Sequence, residues 1–173
     1  MPQSLTLILG GAASGKSAYA ENIVLASGLD PLYIATAQAF DDEMRTKIDL
    51  HVARRGNAWR TIEAPMDLPG ALAGLRADHI VLIDCLTLWL TNHLLADSDP
   101  GPATDALIAA LAACPAPVVM VSNEVGLGIV PDNALARRFR EAQGRLNIRM
   151  AQAADCVVQV VAGLPNVLKG VAP

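Results

Sequence analysis

Eight consecutive residues carry the plainest chemistry in the chain: Gly10, Gly11, Ala12, Ala13, Ser14, Gly15, Lys16 and Ser17. Their pattern, GxxxxGK[ST], is the spacing of a phosphate-cradling Walker A loop. Glycines at the first and sixth positions let the backbone turn its N–H groups into one concavity. A helix starting near Lys16 would aim its positive end at the same point. The Lys16 ammonium can reach β- and γ-phosphates, and the Ser17 hydroxyl can ligate Mg²⁺. A bare glycine turn after a strand is the alternative. The strand–loop–helix context favours the phosphate site. The dinucleotide pattern GxGxxG is not met, because Gly10-Gly11-Ala12 breaks it.

A phosphate site of this kind takes a second acidic group from a neighbouring strand end. Asp84 closes the apolar run Ile80-Val81-Leu82-Ile83 and fits that place. Its alternative role is to cap the helix that follows at Leu86. A second candidate loop is Ser122-Asn123-Glu124-Val125-Gly126-Leu127-Gly128-Ile129-Val130-Pro131, where two glycines and a proline follow a strand. From pattern alone it is equally a functional loop or a turn. Arg137, Arg138, Arg140, Arg145 and Arg149 populate one long helix. Arginine suits phosphate, but Glu141 can pair with Arg137, Arg138 or Arg145 as solvated ion pairs. His51 stands on a basic, amphipathic stretch with Lys47, Arg54 and Arg55. A lone histidine in such a setting is an ordinary surface residue unless something else singles it out.

These groups need a scaffold. Leu5–Leu9, Leu32–Thr36, Ile80–Asp84, Val118–Ser122 and Val157–Val161 are short, continuous apolar runs. Such strands belong to a parallel sheet covered on both faces. Helices are expected over Lys16–Ser27 with Gly28 after it, from Asp41-Asp42 to Arg54 with Gly56 after it, and over Leu86–Ala96, Thr104–Ala113 and Asn133–Ala154. Asp97 to Pro102 reads as a surface linker. Gly163 to Asn166 should turn the chain into a short antiparallel edge strand at Val167–Lys169. The expected fold is a three-layer α/β sandwich of the P-loop type in one catalytic domain spanning residues 1–173.

Composition narrows the partners. The chain has 173 residues, 53% hydrophobic and 17% charged, which excludes a disordered protein. A net charge of −4 argues against broad, non-specific nucleic-acid binding, which needs a basic face. Cys85, Cys114 and Cys156 have no CxxC spacing, so small buried thiols in a reducing cytoplasm are expected. The apolar stretch Ile80–Leu95 carries Asp84, Asn92 and His93, so no membrane span is expected.

Taken together, the motifs resemble the bifunctional adenosylcobinamide kinase/adenosylcobinamide-phosphate guanylyltransferase family. The resemblance runs from the first strand to Lys169. It rests on Gly10–Ser17, on Tyr33-Ile34-Ala35-Thr36-Ala37 with Asp41-Asp42-Glu43-Met44, on Asn123–Pro131, and on Gly144-Arg145-Leu146-Asn147 with Ala151. It implies a RecA-like P-loop sandwich and a homotrimer, with the corrinoid in a cleft between subunits. It implies two reactions. ATP or GTP phosphorylates the hydroxyl of adenosylcobinamide, then GMP passes from GTP through a guanylyl-histidine to the phosphorylated corrinoid. His51 fills the histidine position, as Leu50-His51 where some relatives have a His pair. Asp84 stands where some have Glu. The implied nucleotide-binding set is Gly10 to Ser17, Glu63 and Asp84, with Mg²⁺ on Ser17 and Asp84, and Lys16 and His51 catalytic. Another small P-loop kinase, a non-catalytic nucleotide-binding module and a chain retaining one of the two activities are the rival readings.

Overall fold

The computed structural model describes residues 4–38 and 58–172. The expected helix from Asp41 to Arg54, its Gly56 stop and the Asp41–Met44 motif lie outside the described residues, as does His51. Seven strands and five helices are described: β1 (Leu5–Gly10), α1 (Lys16–Ala26), β2 (Asp30–Ala35), β3 (Arg60–Glu63), α2 (Leu68–Leu72), β4 (His79–Asp84), α3 (Leu86–Leu95), α4 (Pro100–Ala113), β5 (Val118–Asn123), α5 (Ala134–Ala153), β6 (Cys156–Val161) and β7 (Leu164–Lys169).

The strands form one sheet in the order β3-β2-β4-β5-β1-β6-β7. All pairings are parallel except β6 with β7. Alternation along each strand splits the core into two layers. Leu7, Ile34, Ile83, Met120 and Val157 face α2 to α5, packing on Leu68, Trp89, Leu107 and Leu146. Ile8, Tyr33, Leu82, Val121 and Val158 face the other way, onto Ala20 and Val24 of α1. This is the covered parallel sheet that the apolar runs demand. Parallel order also places the C-terminal ends of β1 to β6 along one edge, where ligands bind in open α/β sheets.

The local differences from the sequence reading have physical causes. β3 was not expected, because Arg60-Thr61-Ile62-Glu63 holds one apolar residue; it sits on the sheet's outer edge, where half its surface is wet. α2 carries Pro69 and Gly70, both helix-unfriendly, but Asp67 accepts from Gly70 N–H and Pro69 occupies the first turn. α4 starts at Pro100, inside the expected linker, because Asp99 accepts from Gly101 N–H and Pro100 fits the first turn without a lost hydrogen bond. β7 begins three residues earlier than expected. Ala162 and Gly163 take left-handed conformations (φ 52° and 78°), making a two-residue hairpin turn.

Candidate active site

The P-loop is built by two close approaches. A β-carbon on Gly10 would collide with Ser14 Oγ and come within 2.8 Å of the Val160 carbonyl oxygen. Gly15 has φ 91°, and a β-carbon there would stand 3.1 Å from Gly163 Cα. Both positions therefore need glycine. Ser14 N–H donates to the Gly11 carbonyl (3.3 Å), and Gly163 N–H donates to the Ser14 carbonyl (2.8 Å). The β6–β7 hairpin thus props the loop from behind. Lys16 Nζ donates to the Gly11 carbonyl at 3.0 Å, curling over the loop. Ala13 adopts a left-handed φ of 54°. Ser14 Oγ is buried with no hydrogen-bond partner among the described residues.

Asp84 ends β4, one strand beyond β5 from the P-loop strand. The Tyr33 hydroxyl donates to Asp84 Oδ2 at 3.0 Å, which orients the carboxylate. The helix-capping alternative does not hold: the residue before α3 is Cys85, and no side chain caps that helix. Thr36 locks the same corner, its Oγ1 donating to the Cys85 carbonyl (2.7 Å) and accepting from Cys85 N–H (2.8 Å). Burial pushes the Cys85 thiol up to about 11; the Asp84 carboxylate adds to the rise, and the Lys16 ammonium opposes it. Lys16 follows the end of β1 and Asp84 ends β4, so both stand at the C-terminal edge of the sheet with β5 between their strands.

The loop after β5 joins this corner. Glu124 N–H donates to the Gly10 carbonyl at 3.0 Å. Two arginines of α5, Arg137 and Arg140, hold the protein's own backbone, and two others make ion pairs. Arg140 donates to the carbonyls of Ile129 and Gly128, both at 2.9 Å, and to that of Gly126. Arg137 holds the carbonyls of Pro131 (2.9 Å) and Asp132 (2.6 Å). Arg145 pairs with Glu141 at 3.4 Å, and Arg149 with Asp105. The sequence could not distinguish these roles, because each needs only an arginine on α5.

Glu63 lies elsewhere. It ends β3, four strand steps from β1, which is roughly 19 Å along the sheet at the usual spacing. It shares a shallow groove with Gln38, Pro65 and Met66. The other two histidines are structural. His79 Nδ1 accepts from Arg76 N–H (3.2 Å), and His93 Nδ1 lies 2.8 Å from Ser98 Oγ beneath Trp89. Sequence reading placed Tyr33 and Thr36 in the second-strand motif without a role and did not single out Thr87; what each supports shows only once the register is known.

The donors available suit Mg²⁺. It binds with one or two protein oxygens and completes its shell with phosphate and water. The Ser17 hydroxyl and the Asp84 carboxylate supply that number. No cluster of three or more His, Cys, Asp or Glu that could form a closed metal cage occurs among the described residues.

A mostly parallel sheet with a glycine loop and lysine at the end of β1, and an acid at the end of β4, defines a P-loop NTPase-type α/β protein. Solved structures agree on the fold. A Pyrococcus horikoshii protein of a structural study superposes with a TM-score of 0.55 at 10% identity, over 98% of this chain and 87% of that one. The RadB recombinase does so with a TM-score of 0.50 at 15% identity, over 90% and 73%. The family model for cobinamide kinase / cobinamide phosphate guanyltransferase matches residues 6–168, and the chain belongs to that family. The bifunctional adenosylcobalamin biosynthesis protein CobP of Pseudomonas aeruginosa is 48% identical over 168 residues, covering 95% of this chain and 96% of that one. The Salmonella typhimurium protein CobU, of the same description, is 43% identical over 176 residues, covering 92% and 97%. The chain is thus a bifunctional kinase and guanylyltransferase of cobalamin biosynthesis. None of its described helices is long and apolar enough to cross a membrane.

Proposed function

We propose that the corner formed by the P-loop and Asp84 is the phosphoryl-transfer site for adenosylcobinamide, with ATP or GTP as donor. The observation that carries this is the placement of the P-loop after β1 and of Asp84 at the end of β4 on the same C-terminal edge of the sheet, with β5 between them. In this reading the backbone of Gly10, Gly11, Ala12, Ala13, Ser14 and Gly15 wraps the β- and γ-phosphates. Lys16 leaves the Gly11 carbonyl to neutralise charge on them. Ser17 and Asp84 hold Mg²⁺, Asp84 by way of water. The metal's contribution is to offset charge on the phosphate oxygens. The hydroxyl of the corrinoid attacks the γ-phosphorus, the bond to the β–γ bridging oxygen breaks, and nucleoside diphosphate leaves.

We further propose that His51 carries the second reaction. An imidazole is a competent nucleophile near neutral pH without a strong base. Its nitrogen would attack the α-phosphorus of GTP, releasing pyrophosphate and forming a P–N bond. The corrinoid phosphate then takes the GMP, giving adenosylcobinamide-GDP. His51 lies outside the described residues; its support is its place in the family motif. Glu63 ends β3, the first strand after that segment, and we assign it, on the resemblance, to nucleotide binding in the guanylyl step.

We also propose that this single domain works in the cytoplasm as a homotrimer. The three cysteines are buried and form no disulfide, as a reducing compartment allows. β7 is an open edge strand with exposed Leu164, Val167 and Leu168, an apolar surface suited to association. Incubation with adenosylcobinamide, Mg²⁺ and ATP should give the phosphorylated corrinoid, and adding GTP should give adenosylcobinamide-GDP and pyrophosphate. Failure to turn over the corrinoid, with nucleotide binding intact, would contradict the assignment.

A further inference from the structure

Asn123 occupies an unusual place. It is the last residue of β5, the strand between the P-loop strand and the Asp84 strand. It stands in register with Gly10. Strand alternation fixes the side from which its side chain leaves. Ser122 turns toward α5, its Oγ donating to Asn147 Oδ1 at 2.7 Å. Val121 packs in the layer under α1. Asn123 therefore leaves the sheet on the α1 side, the side of the P-loop. Leu82 packs in the same layer, so Asp84, two residues on, leaves on that side too.

The main chain of Asn123 is gripped by side chains from two helices. Its N–H donates to Thr87 Oγ1 at 2.8 Å, and its carbonyl accepts from Asn147 Nδ2 at 3.0 Å. Asn147 is itself set by Gln143, whose Nε2 donates to Asn147 Oδ1 at 2.9 Å. Thr87, Gln143 and Asn147 are all buried. The adjoining Glu124 N–H is tied to Gly10. The backbone is thus fixed on every side, while the Asn123 side-chain amide makes no hydrogen bond among the described residues. A rigidly held, free amide between a phosphate loop and an acid is a donor waiting for an acceptor.

We propose that Asn123 Nδ2 donates a hydrogen bond to a non-bridging oxygen of the γ-phosphate held by the P-loop, and that Thr87 and Asn147 are positioning residues for that contact. Asn123 then distinguishes nucleoside triphosphate from diphosphate, and its hydrogen bond strengthens as charge builds on the transferring group. The inference rests on the phosphoryl-transfer site proposed above.

The test measures binding of the β,γ-imido analogues of ATP and GTP, and of ADP and GDP, to the full chain with Mg²⁺, alongside kinase turnover. Asn123→Ala should weaken the better-bound imido analogue about tenfold, the scale of one hydrogen bond to a charged group. Diphosphate affinity and Tm should stay unchanged, and kcat should fall by a similar factor. Thr87→Val should reproduce part of the kcat loss, and Thr87→Ser, which keeps the hydroxyl, should restore it. Equal effects on tri- and diphosphate, or no effect on either, would overturn the inference. So would Thr87→Val and Thr87→Ser behaving alike. Lys16→Ala separates the layers. If it weakens nucleotide binding while Asn123→Ala does not, this inference alone fails. If it changes nothing, the P-loop site fails and this inference with it.

Discussion

The Tyr33 hydroxyl lies 3.0 Å from Asp84 Oδ2, reaching across from β2 to the end of β4. The bond engages one oxygen of the carboxylate, Oδ2. It gives the acid a fixed direction, which a metal-bound water needs. Asp84→Asn keeps an oxygen for Tyr33 but removes the charge. The Mg²⁺ concentration for half-maximal kinase activity should rise about tenfold, the scale for an outer-shell partner. Tyr33→Phe should move the same titration in the same direction by less. An unchanged titration in Asp84→Asn would remove Asp84 from the metal site.

Lys16 rests on the Gly11 carbonyl, so its loss costs the fold little. Lys16→Ala should keep the parent's Tm within a few degrees. Kinase kcat should drop at least ~10²-fold, as for losing one preorganised electrostatic contact to a developing charge. Steady-state turnover beside a melting curve checks both parts.

Two glycines should respond to alanine with opposite signs. At Gly10 the new methyl meets the Val160 carbonyl at 2.8 Å, and backbone cannot yield as a side chain can. Gly10→Ala should destabilise by about 1–3 kcal/mol and abolish nucleotide binding. At Gly144, inside α5, a methyl meets nothing within 4 Å. Gly144→Ala should stabilise by about 1 kcal/mol through helix propensity. Chemical denaturation of both variants decides the signs.

Cys85 is buried, and its thiol is raised from 9.0 to about 11. Between those values the folded state keeps a proton that the unfolded state releases. Stability should therefore fall as pH rises through that window, at up to about 1.4 kcal/mol per pH unit. Cys85→Ser should flatten the slope. At neutral pH the folded thiol should resist iodoacetamide, since thiolate is the reactive form.

The chemistry was more legible in the sequence than the supports that aim it. Gly10 to Ser17 stand out in the sequence because their residue types follow a fixed spacing, and Asp84 because it closes an apolar run. Strands β1, β2, β4, β5 and β6 could be read because a sheet covered on both faces leaves continuous apolar runs. β3 could not, since an edge strand such as Arg60–Glu63 buries little and needs no such run. α2 and the first turn of α4 were hidden by prolines that usually break helices; only the capping of Asp67 and Asp99 shows why they do not. The Thr87–Asn123–Asn147 grip spans three elements far apart in sequence, and it becomes visible only once the strand order brings them together.

One chain carries out both phosphoryl and guanylyl transfer, and we propose that the latter runs through His51. The most direct measurement is covalent labelling by GTP. GTP labelled at the α-phosphate should leave label on the protein with release of pyrophosphate, and GTP labelled only at the γ-phosphate should leave none. A P–N bond to imidazole should lose the label in mild acid and keep it in alkali. His51→Ala should abolish labelling while corrinoid phosphorylation continues, since that step uses no enzyme nucleophile. His79 and His93, held by Arg76 N–H and Ser98, should not be needed. A His51→Ala protein that still takes up the α-label, or a label stable to acid, would contradict the account.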